Sequence, residues 1–232
     1  MVFVVAEIGV NWNGDLQLAE EMIMEAKKSN CDAVKFQCFN DDILGNHPLK
    51  NKLMRTSISK SNIEEIHKIA KKVNLEWFCT PMYPGAVELL DPFVQKFKIR
   101  IADSLPVLKN MKSELFEKVL KTNKDIIISS QISPQLCNYY KNKKISWLYG
   151  VPKYPCKLTE LDFSNFKYFD GYSNHHPHFI APLTSSVLGA KIIEIHITSD
   201  KTKDFVDNPV SFDYVELKQL VELIRMSENI KH

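Results

Sequence analysis

Eight short runs rich in β-branched and aromatic residues recur along this chain, each followed by a longer stretch that mixes apolar and polar residues. That alternation is the pattern of βα units laid around a parallel sheet. The runs predict strands at Val2–Gly9, Ala33–Gln37, Glu76–Thr80, Lys96–Ile101, Ile126–Ser130, Ser146–Val151, Asp170–Asn174 and Ile192–Thr198. Between them the pattern predicts helices over Asp15–Ser29, Ser61–Val73, Lys109–Lys121, Thr159–Phe166, Phe179–Leu188 and Asp213–Ser227, with shorter ones at Gly85–Leu90 and Pro134–Asn142. Asp15, after Gly14, reads as an N-cap, and Ser61 with Glu64 reads as a capping box. Spread over 232 residues, eight units have ~29 residues each, enough for one closed (β/α)8 TIM barrel. The expected fold class is therefore α/β, as a single domain over residues 1–232, with a doubly wound open sheet as the alternative because alternation does not prove closure. No repeat, low-complexity tract or linker divides the chain.

Composition removes several classes of function. Thirty Lys plus Arg against 28 Asp plus Glu leave a formal charge of +2, with no long run of one sign. Neither nucleic acid nor a membrane surface is therefore an expected partner. Five cysteines, none in a Cys-x-x-Cys pair, fit reduced thiols rather than a disulfide framework or zinc ribbon. The apolar start is interrupted by Glu7 and Asn11, too early for a signal peptide or a membrane span. A soluble, cytoplasmic protein is the expectation. Only three residues are Arg (Arg55, Arg100, Arg225), so an Arg within a strand pattern calls for an explanation.

In a barrel strand every second residue points inward, and those near the C-terminal end line the active-site face. Parity places Glu7, Lys35, Gln37, Thr80, Lys98, Arg100, Ser129, Ser173, His175, Glu194 and His196 there. Burying so many polar groups separately would cost several kcal/mol apiece. A shared polar pocket is the economical account. His175 and His196 end consecutive strands, and neutral imidazole is a good ligand for Mn²⁺, Fe²⁺ or Zn²⁺. Within Ser173-Asn174-His175-His176-Pro177-His178, however, His176 and His178 are register alternatives to His175.

Several segments resemble one family. Ala6-Glu7-Ile8-Gly9-Val10-Asn11-Trp12-Asn13-Gly14-Asp15 is similar to the N-terminal signature of the sialic acid synthase (N-acylneuraminate synthase) family, with Trp12 where His is usual. The resemblance continues through Asp32–Gln37, Cys79-Thr80-Pro81, Phe97-Lys98-Ile99, Tyr154-Pro155, Gly171–His175, Leu188-Gly189-Ala190 and Ile193–His196. It implies a (β/α)8 barrel that condenses phosphoenolpyruvate with the aldehyde of an N-acylhexosamine, giving a nonulosonic acid and phosphate. It also implies His175 and His196 as ligands of a divalent metal, typically Mn²⁺, acting as a Lewis acid. By the same resemblance Lys35 and Lys98 hold the anionic substrate, while Gln37, Thr80, Ser129, Ser173 and Tyr154 orient it. Glu7, Asp103 and Asp207 fall where the family has acidic residues that handle protons or the sugar.

Departures from the family pattern bear on the phosphate. Lys98-Ile99-Arg100-Ile101-Ala102-Asp103 has Ile101 in place of a phosphate-binding Ser, Ser129-Ser130-Gln131 lacks a usual Gly, and Pro152 replaces a polar residue before Tyr154. Asn174 also replaces a charged neighbour of the metal ligand. Family members usually carry a C-terminal antifreeze-like domain whose arginine enters the partner subunit's site. The expectation here is a bare barrel, completed as a homodimer or by a separate partner protein, with Arg100 supplying a replacement guanidinium for the substrate or else forming a salt bridge to Asp103 or Glu7. The alternatives to synthesis are an aldolase or lyase acting on another anionic sugar, and a non-catalytic sugar-binding relative.

Overall fold

The computed structural model describes residues 1–230. Eight parallel strands close in sequence order into a barrel: β1 (Phe3–Gly9), β2 (Ala33–Cys38), β3 (Glu76–Pro81), β4 (Lys96–Ile99), β5 (Asp125–Ser130), β6 (Ile145–Tyr149), β7 (Gly171–Asn174) and β8 (Ile192–His196). Pairing of β1 with β8, from Phe3 opposite Ile192 to Glu7 opposite His196, closes the ring. The doubly wound alternative is thereby excluded.

Helices α1 (Leu16–Lys28), α2 (Asp41–Leu44), α3 (Lys50–Met54), α4 (Ile63–Val73), α5 (Pro84–Leu90), α6 (Ile101–Leu108), α7 (Glu114–Lys121), α8 (Ile180–Val187) and α9 (Tyr214–Ser227) pack outside it. Asp15 caps α1 as expected, accepting from the N–H groups of Gln17 and Leu18. The expected Ser61–Glu64 capping box does not form. Asn62 precedes α4 instead, its side chain spent on the Ser59 N–H and the Ser57 carbonyl, while Ser61 pairs with Ser59.

Two further expectations are corrected. The fourth strand stops at Ile99, where Arg100 leads into α6, which buries Ser104 and Val107 on its inner face, and the expected helix over 109–121 shrinks to α7 after Asn110 turns the chain at φ 55°. The helices expected over 134–142 and 159–166 are absent, leaving single 3₁₀ turns at Pro134–Leu136, Leu158–Glu160 and Phe166–Tyr168. Turn chemistry wins in the second segment, where Asp162 accepts from the Ser164 N–H. Aromatic packing covers the sheet there in place of a helix: Phe163 lies 5.4 Å from Tyr149 and 5.5 Å from Tyr172, and Phe169 lies 5.6 Å from Tyr149.

Trp12 is 1% exposed, donates to the Thr56 carbonyl at 2.9 Å and meets Phe36 edge-on. It ties the loop after β1 to the loop after β2, beside the mouth of the barrel. Gly171 is required for closure, since a Cβ there would lie 1.9 Å from the Ile192 carbonyl oxygen. All five cysteines are buried and free. No helix among the described residues is long and apolar enough to cross a membrane.

Candidate active site

Residues in register on parallel strands point to the same side of a sheet. Glu7 is in register with Lys35 on β2 and His196 on β8, Gln37 with Thr80, and Ser173 with Glu194. Together with Lys98 and Ser129, these groups line a cavity of about 340 Å³ at the C-terminal mouth of the barrel. The polar ring expected from strand parity is therefore assembled. Gly9 leaves room for it: at φ +53° it turns the chain out of β1, and a Cβ there would come within 3.0 Å of Glu7, 3.2 Å of Gln37 and 3.3 Å of Asp207.

Four buried charges of alternating sign form the floor. Glu7 Oε2 lies 3.0 Å from Lys35 Nζ, Lys35 Nζ lies 3.7 Å from Glu194 Oε2, and Glu194 Oε2 lies 2.9 Å from Lys98 Nζ. Lys35 also donates to Thr80, Gln37 to Glu7, and Ser173 to Glu194. Burial pushes the Glu7 carboxyl upward against the pull of Lys35, so Glu7 is the member best placed to take up a proton. Glu194 goes the other way; burial opposes its charge, but Lys35 and Lys98 outweigh it and hold the carboxyl low. Burial lowers the Lys98 ammonium to about 8, whereas for Lys35 the two carboxylates overcome burial and raise it. Parity alone placed Glu194 inward without a role; in the folded chain it is the shared partner of both lysines.

His175 and His196 face each other across the β7–β8 seam, ring centroids 5.5 Å apart. His175 Nδ1 lies 2.6 Å from the Val151 carbonyl. A carbonyl only accepts, so Nδ1 carries the proton and Nε2 presents its lone pair to the cavity. Burial, with His196 adding to it, lowers the His175 pKa to about 3 and keeps the ring neutral. Burial also opposes charging His196, but Asp207, with Oδ2 3.4 Å from His196 Nδ1, reverses the sign and raises it. A neutral imidazole anchored through Nδ1 to a backbone carbonyl is the donor state that divalent metals require. The pair fits such an ion in kind. Among the described residues no third His, Cys, Asp or Glu joins them in a ready-made cluster, so water or substrate oxygens would complete the coordination.

His176 turns away, with Nδ1 2.8 Å from the Cys156 carbonyl, and His178 stays at the exposed surface. Tyr154, on the loop after β6, places its hydroxyl 2.7 Å from His175 Nε2.

The rim differs most from strand parity. Arg100 is not in a strand but precedes α6; it lines the cavity yet is paired through Nε with Asp103, and its Nη1 lies 3.1 Å from Met82 Sδ. Asp103 is thus engaged with Arg100 and lies outside the cavity lining. Asp207 also lies outside the lining, but beside His196, where its N–H donates to Asn11, itself fully buried and bonded to Ile197 and Ser211. Met82, Ile101, Ala102 and Pro152 add an apolar wall. Ser129 Oγ is buried without a hydrogen-bond partner and faces the same space, a donor waiting for an acceptor.

A closed (β/α)8 barrel with a charged, ligand-sized cavity at its C-terminal mouth defines the class: a TIM barrel with a polar pocket at the end where proteins of this fold place their sites. Within that class, residues 22–231 match the NeuB family, and the chain belongs to it. It is 32% identical to N,N'-diacetyllegionaminic acid synthase of Campylobacter jejuni, over 96% of this chain and 75% of that protein. An uncharacterized protein of Methanocaldococcus jannaschii is 30% identical over 98% of this chain and 71% of its own length. The crystal structure of the N-acetylneuraminic acid synthetase of Leptospira borgpetersenii, in complex with citrate, superposes with a TM-score of 0.88 at 27% identity, covering 100% of this chain and 85% of that one.

Proposed function

We propose that this barrel condenses phosphoenolpyruvate with the open-chain aldehyde of an N-acylhexosamine, forming a nonulosonic acid and releasing phosphate by C–O cleavage. The observation that carries the reading is the buried Glu7–Lys35–Glu194–Lys98 array beside the His175–His196 pair, of which His175 is held neutral, in a chain of the NeuB family. Lys35 and Lys98 present ammonium groups to the anionic substrate, and Ser129 offers its unpaired hydroxyl to it. Gln37, Thr80, Ser173 and Tyr154 orient the reactants by hydrogen bonds. Glu7, with its raised pKa, exchanges a proton with the water that adds during the reaction. Asp207 orients His196 from beside the cavity, and Asp103 acts by holding Arg100. A divalent ion, most simply Mn²⁺, bound by His175 and His196 would supply Lewis-acid polarisation of the aldehyde oxygen.

Arg100 takes the place of polar groups lost at Ile101 and Pro152, with Nη1 left to a weak thioether contact that an anion readily displaces. The deciding experiment incubates the protein with Mn²⁺, phosphoenolpyruvate and either N-acetylmannosamine or a diacetamido-hexose, and measures phosphate. Release that vanishes in His196→Ala supports the synthase. In Arg100→Lys the KM for phosphoenolpyruvate should rise roughly 10-fold, the weight of one charge-assisted hydrogen bond; an unchanged KM removes Arg100 from the site. The apolar wall of Met82, Ile101 and Pro152 favours one second reading, an aldolase or lyase acting on an anionic sugar without a phosphate group. Sugar cleavage to a 2-oxo acid with no phosphate release would select it.

A further inference from the structure

The loop after β6 grips His175 at three points. Val151 accepts from its Nδ1 at 2.6 Å, the Cys156 N–H donates to its carbonyl at 2.9 Å, and the Tyr154 hydroxyl sits 2.7 Å from Nε2. Because Nδ1 holds the proton, Nε2 is an acceptor and Tyr154 is the donor. The Tyr154 ring lies 4.0 Å from the His175 ring and meets His196 edge-on at 5.6 Å. One phenol therefore covers both imidazoles and fills the one lone pair that His175 presents to the cavity.

Tyr154 is also built to leave. It is 54% exposed overall although its hydroxyl reaches deep, whereas His175 and His196 are 4% and 3% exposed. Swinging the ring outward disturbs no packed core, while moving either histidine would.

We propose that Tyr154 competes with divalent metal for His175 Nε2, so that its hydroxyl sets the metal affinity of the site and must withdraw as an ion enters. The inference rests on the histidine pair being the metal site, and it is read by binding rather than turnover. Tyr154 in this role is a positioning residue for the ligand nitrogen. When the ion is bound the freed hydroxyl points to solvent or to substrate; only its hydrogen bond to His175 is given up, and no covalent bond to Tyr154 is made or broken.

Titration of Mn²⁺ into wild-type protein and Tyr154→Phe by calorimetry tests it, since Phe keeps the ring and loses only the donor. The variant should bind Mn²⁺ roughly 5-fold more tightly, within a range of about 2- to 12-fold, the equilibrium weight of one net hydrogen bond. A merely structural role would leave affinity unchanged or weaken it, and either result overturns the proposal while leaving the metal site standing. Failure of both proteins to bind Mn²⁺ overturns the proposal and the metal reading together, whereas binding by the variant alone supports both. If Tyr154→Phe does not fold, wild-type protein decides: Mn²⁺ should change the tyrosine ultraviolet absorbance as the phenol leaves the imidazole. An unchanged spectrum at saturating Mn²⁺ overturns the proposal. Phosphate release, assayed separately, decides the synthase reading whichever way these titrations fall.

Discussion

Replacing Glu194 by Gln keeps the side-chain shape and removes the one charge that both buried ammoniums share. Lys35 would still hold Glu7 at 3.0 Å. Lys98, 2% exposed and 2.9 Å from Glu194, has no other ion-pair partner among the described residues. Removing one member of a buried pair costs about 3–5 kcal/mol, because the survivor stays desolvated. Lys98 has one escape, which is to give up its proton, and burial has already lowered its pKa to about 8.

The sign of the pH dependence follows from that escape. A lysine whose folded pKa lies below its unfolded value, about 10.4, destabilises the native state increasingly as pH falls between the two, where the unfolded chain binds the extra proton. Glu194→Gln lowers the folded pKa further, so its penalty should be full near about pH 6 and distinctly smaller near about pH 9, where native Lys98 is largely neutral in both proteins. Urea unfolding of wild type, Glu194→Gln, Lys98→Met and the double variant at both pH values gives the cycle. The double variant should be less destabilised than the sum of the singles by about 2 kcal/mol or more. A Glu194→Gln cost below about 1 kcal/mol near pH 6, or strict additivity, would refute the linked array.

Other perturbations reach different parts of the barrel. Trp12→Phe leaves the buried Thr56 carbonyl without its donor and should cost about 1–3 kcal/mol in thermal unfolding. Gly171→Ala places a methyl against the Ile192 carbonyl; the β7–β8 seam must open, with a loss above about 4 kcal/mol seen as failure to recover folded, soluble protein. His175, with its pKa lowered to about 3, favours the native state only while it is neutral in the unfolded chain too. In metal-free buffer the His175 contribution should cost about 2 kcal/mol on acidification from about pH 7 to about pH 5, so His175→Gln should lose less stability than wild type over that range by about that amount.

Strand parity located the floor of the site because each of its residues sits inside a regular strand whose register is forced by burial. Glu7, Lys35, Lys98, Ser173, Glu194 and His196 all obey period two and all face the cavity. Arg100 shows where the rule stops. Read as one more alternate position, it lies past the end of β4, and its direction is set by the turn into α6 and by Asp103. The failed helix after β6 shows the same limit: amphipathic spacing is present, but Asp162 satisfies the Ser164 N–H locally and the chain turns instead.

Tyr154 and Asp207 lie on loops, where no periodicity specifies direction, and their contacts with His175 and His196 become visible only once the chain reversals are in place. The site therefore has two halves with different physical origins. The charge array belongs to strand register and is coupled to the stability of the whole barrel; the surroundings of His175 belong to one exposed loop. On that division Glu194→Gln should change stability strongly and pH-dependently, while Tyr154→Phe should change metal affinity and leave the unfolding midpoint nearly where it was. A large loss of stability in Tyr154→Phe would show that the loop, too, is part of the barrel's structural core.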